Sequence, residues 1–247
     1  MWGNTWANGG DAAALNDSSS ARGFSWRTLP SQQQPNMLAQ DFHHGSQGLT
    51  LWYNAVAHID QQNKSASSSV LQSLAELFVR HGVHDRFGIF LLHRHRALTH
   101  NSVMVHTRPD INTDICVMEE LGCHKISPCM FLSQTPNEFL PFEYELSSRA
   151  EAEPLPNKPF LIELGNFLWD RRLQETFGLC KASPADDPWI ERLLSDDGNT
   201  IATRARRSIT SLDGTITQWG FLREGQGIRI RELRACKESE SGGHIRT

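Results

Sequence analysis

HGVHDRFGIFLLHRHRALTHNSVMVHT, residues 81–107, holds the strongest strand signal in the chain and six of its eleven histidines. Gly88–His95 is an apolar run of strand length. Ala97–Ser102 then supplies Thr, His, Asn and Ser, side chains that bond their own backbone in turns, and Val103–Thr107 is β-branched again. The pattern predicts a hairpin. With Arg96 opposite Val103, His93 faces His106, and alternation gathers Ile89, Leu91, His93 and His95 on one face beside Met104 and His106. Three neutral imidazoles on rigid strands suit a divalent metal and leave coordination positions open for substrate. The same residues also read as a strand end, where apolar side chains give way to polar ones as the chain leaves the core.

Upstream, Leu51, Ala55 and Ile59 are spaced as one helical face. Ser69 and Gln72 have capping-box spacing and Gly82 stands past the end of the helix they open, with Leu71, Leu74, Ala75 and Phe78 on its buried side. Residues 1–47, rich in Gly, Ser, Asn and Gln, read as a disordered tail. Downstream, 114–121, 125–132 and 139–146 read as strands, Pro141 favouring an edge. The expected fold is therefore α+β: a largely antiparallel sheet of four or five strands over 88–146, flanked by helices. In this reading 48–146 is the core and a Pro- and Glu-bearing linker covers 147–159. Residues 147–236 form a helical and hairpin subdomain packed on the core, and 237–247 is a mobile tail. The second part is predicted to hold a helix over 160–177, a short helix over 187–194 capped by Asp187-Pro188, and a hairpin of 215–222 with 227–233.

Composition bounds the function. A net charge of −4 argues against nonspecific nucleic-acid binding. No apolar run approaches the ~18 residues that cross a bilayer, and the amino terminus lacks a secretory pattern. Five cysteines without such a signal read as reduced thiols in the cytoplasm. Cys116, Cys123, His124 and Cys129 lack the paired spacing of a structural zinc site. Asp186, Asp187 and Glu191 fit a helix cap, and also a Mg²⁺ pair one turn apart. Arg204, Arg206, Arg207, Arg229 and Arg231 make the last hairpin basic, either as a solvated face or as a receiver for phosphate or carboxylate.

Gly88, four residues and His93-Arg94-His95 come one residue short of the first cupin motif, and Ala97 to His100 stand where its glutamate belongs. The cupin assignment therefore does not carry over. RFGIFLLHRH, a Pro-Cys-Met-Phe turn and FLPFEYEL together resemble a family of fungal hypothetical proteins over roughly residues 70–180. That resemblance implies a fungal, cytosolic setting beside specialised metabolism and brings no catalytic residues. The expectation is a small enzyme acting on a small-molecule substrate, without nucleic acid or membrane. His93, His95, His106 and Glu143 are its candidate catalytic residues, with Glu145 as a second carboxylate partner. His93, His95 and His106 are the candidate ligands for a divalent metal. The alternative is a noncatalytic accessory protein that meets a protein partner through the basic hairpin and aromatic surface.

Overall fold

In the computed structural model the described residues are 46–59, 66–146, 155–182, 187–194, 198–205 and 214–237. The predicted tail over 1–47 falls almost wholly outside them, as do Asp186, Arg206 and Arg207. Three helices are present among the described residues: α1 (Ser46–Ala55), α2 (Ser68–Arg80) and α3 (Lys158–Asp170). The strands of the first half are β1 (Phe87–Leu91), β2 (Ser102–Asp110), β3 (Thr113–Glu120), β4 (Ile126–Thr135) and β5 (Glu138–Leu146). Those of the second are β6 (Phe177–Lys181), β7 (Trp189–Leu193), β8 (Thr200–Arg204), β9 (Thr215–Glu224) and β10 (Gly227–Cys236).

The ten strands close into one barrel in the order β1-β6-β4-β5-β2-β3-β8-β7-β10-β9, with β9 returning to β1 through Ile89–Trp219 and Phe90–Gln218. This overturns the α+β expectation of a local sheet flanked by helices. The predicted β1–β2 hairpin is absent as well, since β1 pairs with β6 and β9. Its continuation finds other partners: Leu92 N–H donates to Thr176 O, Arg94 N–H to Ala57 O, and Ile59 N–H to Arg94 O. Backbone groups that the hairpin would have paired locally are satisfied by distant segments. Residues 187–194 are not a helix either, because β7 runs through them between β8 and β10. An aspartate before a proline caps a helix but equally opens a turn into a strand. The long predicted helix ends at Asp170, and Phe177 already begins β6.

The topology is a duplication. Ser67 and Asn157 cap α2 and α3 by accepting from Val70 N–H and Phe160 N–H. At the other ends Val83 N–H donates to Phe78 O, and Leu173 N–H to Leu168 O; Phe87 N–H donates to Val83 O, and Phe177 N–H to Leu173 O. Gly82 at φ 65° and Arg172 at φ 56° occupy the same place in the two turns. Every one of these pairs is separated by ninety positions. Exchanging β1–β5 with β6–β10 reproduces the whole strand order, so the barrel has an internal pseudo-twofold axis. Around it β4, β5, β2 and β3 of the first half and β8, β7, β10 and β9 of the second run as blocks of four, with β1 and β6 exchanged between them.

Alternation along β1 divides the core. Phe87, Ile89 and Leu91, with Phe177 and Leu179 of β6, pack under α2 and α3 against Leu74, Phe78, Leu164 and Leu168. Each such side chain contributes roughly 1.5–3 kcal/mol of burial. Phe90 and Cys180 point the other way, into the barrel interior, among Met104, Cys116, Phe142 and Leu233, with Tyr53 and Val56 of α1 packed on the same cluster. Gly88 and Gly178 permit the close pairing. A Cβ on Gly88 would lie 2.3 Å from the Trp219 carbonyl, and one on Gly178 2.6 Å from that of Phe131.

Candidate functional site

On β2, His106 shares the inward parity of Met104, and on β3 Asp114 shares that of Cys116, so both polar side chains are carried into the interior. Bulges supply two more. The β4–β5 register breaks around Met130↔Glu143, and the β9–β10 register breaks identically around Gln218↔Arg234. A bulge re-aims side chains that strict alternation would send outward. Glu143 and Arg234 are consequently equivalent under the pseudo-twofold axis and both buried. The parallel pairs His106↔Glu145 and Glu191↔Cys236 make His106 the counterpart of Glu191.

Among the described residues, the buried Asp, Glu, His and Arg side chains are His93, His95, His106, Asp114, Glu143, Glu191 and Arg234. All seven belong to one chain of contacts. His93 Nε2 lies 3.2 Å from His95 Nε2, and His95 Nε2 lies 3.8 Å from Glu191 Oε2. Arg234 donates through Nη1 to Glu191 Oε1 at 3.2 Å and through Nη2 to Asp114. His106 donates through Nδ1 to Asp114 at 3.2 Å and through Nε2 to Glu143 at 2.8 Å. Thr200, the counterpart of Asp114, donates to Glu191 at 2.8 Å. The two halves thus hold the same bond with its charges inverted: His106 to Glu143 in one, Arg234 to Glu191 in the other.

The environment fixes the charge states. Burial opposes the His106 imidazolium, but the Cys116 sulfur and the Asp114 carboxylate outweigh it and hold the ring well above the usual 6.5. Burial would raise the Asp114 carboxyl, yet His106 and Arg234 keep it well below the ordinary range. Glu191 is depressed in the same way, Arg234 and His95 overcoming its burial. Burial, reinforced by His95, lowers His93 to about 4. His93 is therefore neutral at physiological pH, with its Nδ1–H donated to Leu91 O at 2.6 Å.

Two voids adjoin the network. A cavity of about 250 Å³ is lined by His106, Asp114, Lys181, Trp189, Gln218 and Arg234, among others. A pocket of about 20 Å³ lies among His93, His95, Glu191, Glu143, Thr217 and Arg234. Met130, Gln218 and Arg234 wall both. The Thr217 hydroxyl and His95 Nδ1 are buried without a hydrogen-bond partner.

No protein-family model, curated protein or solved structure matches the chain.

The geometry regroups the predicted residues. His93 and His95 converge with Glu191, and His106 with Cys116 and Glu143, each set having its ligand atoms within 4.8 Å of one another. His106 is thus not the third partner of His93 and His95. Glu145 instead accepts from Lys181 Nζ at 2.7 Å, beside the larger cavity. Asp187 and Glu191 cannot share an ion as one helical turn would allow, since four strand residues span roughly 13 Å. Sequence reasoning passed over Asp114, Arg234 and the true setting of Glu191. The signal for Asp114 is a charge on the apolar parity of DICVM; for Arg234 there is none, because a bulge sets its direction.

Proposed function

We propose that this chain is a small enzyme that admits an oxygen-bearing organic molecule to the barrel and moves a proton on it. One observation carries the reading: the seven buried Asp, Glu, His and Arg side chains among the described residues form a single network behind a cavity. Stability does not call for such a network, because well-packed apolar replacements of buried ion pairs are often neutral or stabilising by about 1–4 kcal/mol. Groups retained in the face of that cost are characteristic of functional sites.

The cavity falls just short of the about 300–1,000 Å³ that takes drug-sized ligands, so the substrate is small. His106 and Arg234 stay cationic and offer preorganised positive charge to a developing oxyanion. Glu143, bonded to His106 and within 3.5 Å of the Tyr53 hydroxyl, lines the smaller void next to that cavity. It is the proton acceptor for a substrate atom that reaches past Met130, Gln218 and Arg234. The resemblance of RFGIFLLHRH to the fungal family puts this chemistry beside specialised metabolism. A cytosolic setting suits five cysteines that are all free thiols.

The test has two stages. Small organic acids, phenols and ketones are titrated into the protein while the His106 ring signals are followed by NMR, and one class is expected to shift them. For that class, exchange of the substrate's acidic C–H with D₂O should be accelerated by the wild type. In Glu143→Gln it should slow by about 10²–10⁴-fold with binding retained. If no class shifts the His106 signals, or if exchange proceeds equally in both proteins, the reading fails.

A further inference from the structure

His93, His95 and Glu191 stand outside the acid–base roles assigned above, and their arrangement points to a second function. We infer that these three side chains form a binding site for one divalent transition-metal ion. The donor atoms fit. Nitrogen and oxygen ligands at about 2.0–2.2 Å from a tetrahedral ion are separated by about 3.4 Å from each other. The observed 3.2 Å between His93 Nε2 and His95 Nε2, and 3.8 Å from His95 Nε2 to Glu191 Oε2, bracket that edge.

The surroundings prepare each donor. The Leu91 carbonyl can only accept, so it fixes His93 as the Nδ1–H tautomer and leaves Nε2 as a bare lone pair turned toward His95. A backbone carbonyl in this role is the usual outer partner of a metal-bound histidine. Glu191 is oriented in the same manner: Thr200 and Arg234 occupy Oε1, leaving Oε2 for the ion.

Two further observations are independent of the donors. The void between them, about 20 Å³, has room for about one water-sized or ion-sized occupant. Thr217 lines that void, is 1% exposed, and has a hydroxyl with no partner. A buried orphan hydroxyl costs about 1–3 kcal/mol unless something at the site completes it, and a water on the ion would do so. Charge agrees. Asp114, Glu143 and Glu191 are three buried carboxylates against two cations, His106 and Arg234. A dication carrying one anionic oxygen ligand, hydroxide or a deprotonated substrate, brings this interior to neutrality.

Two imidazoles and one carboxylate leave coordination positions open, the donor set of catalytic zinc and non-haem iron centres. Met130, Gln218 and Arg234 separate this void from the larger cavity, so a molecule bound there adjoins the ion.

The rival set is His106, Cys116 and Glu143, and sulfur distinguishes the two. The full chain, stripped with chelator, is titrated with Co²⁺ and separately with Zn²⁺. The expected result is one equivalent of either, with visible Co²⁺ bands of four- or five-coordination and no thiolate-to-cobalt absorption in the near ultraviolet. His93→Ala and Glu191→Gln should each weaken binding at least 100-fold, while Cys116→Ser retains one equivalent. Circular dichroism identifies any variant that fails to fold, and the wild-type cobalt spectrum then decides alone. Thiolate absorption, or less than about 0.2 equivalents bound at ion concentrations far above that of the protein, overturns the inference. Such a failure leaves the NMR test of the acid–base reading intact.

Discussion

Asp114 is the residue on which the interior charges turn, for it is bonded to both cations, His106 and Arg234. Replacing it by Asn leaves two buried positive charges short of an anion. Removal of one partner from a buried pair costs about 3–5 kcal/mol, and denaturant titration of Asp114→Asn is expected to show a loss of that size. A change below about 1 kcal/mol would mean the pair is solvated. The pH dependence has a definite sign. His106 is raised in the folded state, so its contribution is complete below the unfolded value of 6.5 and is lost as pH climbs through the higher folded value. Asp114 is depressed, so its contribution is complete above 3.8 and is lost as pH falls through the lower folded value. Both are therefore fully present between 3.8 and 6.5. Above that window the wild type should lose stability toward pH 9, and Asp114→Asn should lose less, because its His106 has forfeited the partner that raised it. Parallel pH profiles for the two proteins would refute the coupling.

At the scale of the element, α2, the start of α3 and the last hairpin were legible because their signals are local. The face of Leu51, Ala55 and Ile59 was misread: Leu51 is exposed, α1 ends at Ala55, and Tyr53 and Val56 are the buried apolar residues of that segment. The apolar stripe Leu71, Leu74, Ala75 and Phe78 is buried along α2, and 215–222 with 227–233 lies within β9 and β10. The α2 cap is Ser67 rather than Ser69, a shift within one run of serines. The histidine stretch was half legible. His93, His95, His106 and Glu143 are all buried in one network, but which of them meet depends on pairings that alternation does not encode. Glu143 illustrates the reason: FEYEL reads as one wet face and one dry, yet across the bulge Phe142, Glu143 and Tyr144 are all buried, Phe142 in the interior cluster and Tyr144 against Val103 and Val105. The turn following each helix yields a prediction from the duplication. Its left-handed position is filled by Gly82 in the first copy and by Arg172 in the second. A side chain there costs about 1–2 kcal/mol, partly offset by glycine's greater freedom in the unfolded chain. Arg172→Gly should stabilise by about 0.5–1 kcal/mol, and Gly82→Ala should destabilise by about 1 kcal/mol. Equal and opposite midpoint shifts are not required, but a loss of stability in Arg172→Gly contradicts the equivalence of the two turns.

At the scale of the molecule, a repeat was the signal that local patterns could not replace. Leu71, Leu74, Phe87 and Gly88 recur as Leu161, Leu164, Phe177 and Gly178, ninety positions later; they mark the helices α2 and α3 and the strands β1 and β6 that pair across the pseudo-twofold axis. Closure depends on such contacts between halves: β1–β6, β4–β6, β1–β9 and β3–β8 all join a strand of one half to a strand of the other. Neither half can satisfy its strand edges alone, and an unpaired buried edge is strongly unfavourable. The barrel should therefore unfold in one cooperative step although it is built from two copies. Indole NMR signals can report this, with Trp52 in α1 for the first half and Trp189 and Trp219 in β7 and β9 for the second. All three should disappear at a common urea concentration. Leu74→Ala and Leu164→Ala, equivalent and fully buried, should each cost about 2–5 kcal/mol and move all three signals together. If Leu74→Ala released Trp52 while Trp219 kept its native shift, the halves would be independent folding units and the shared strand pairings would be too weak to couple them.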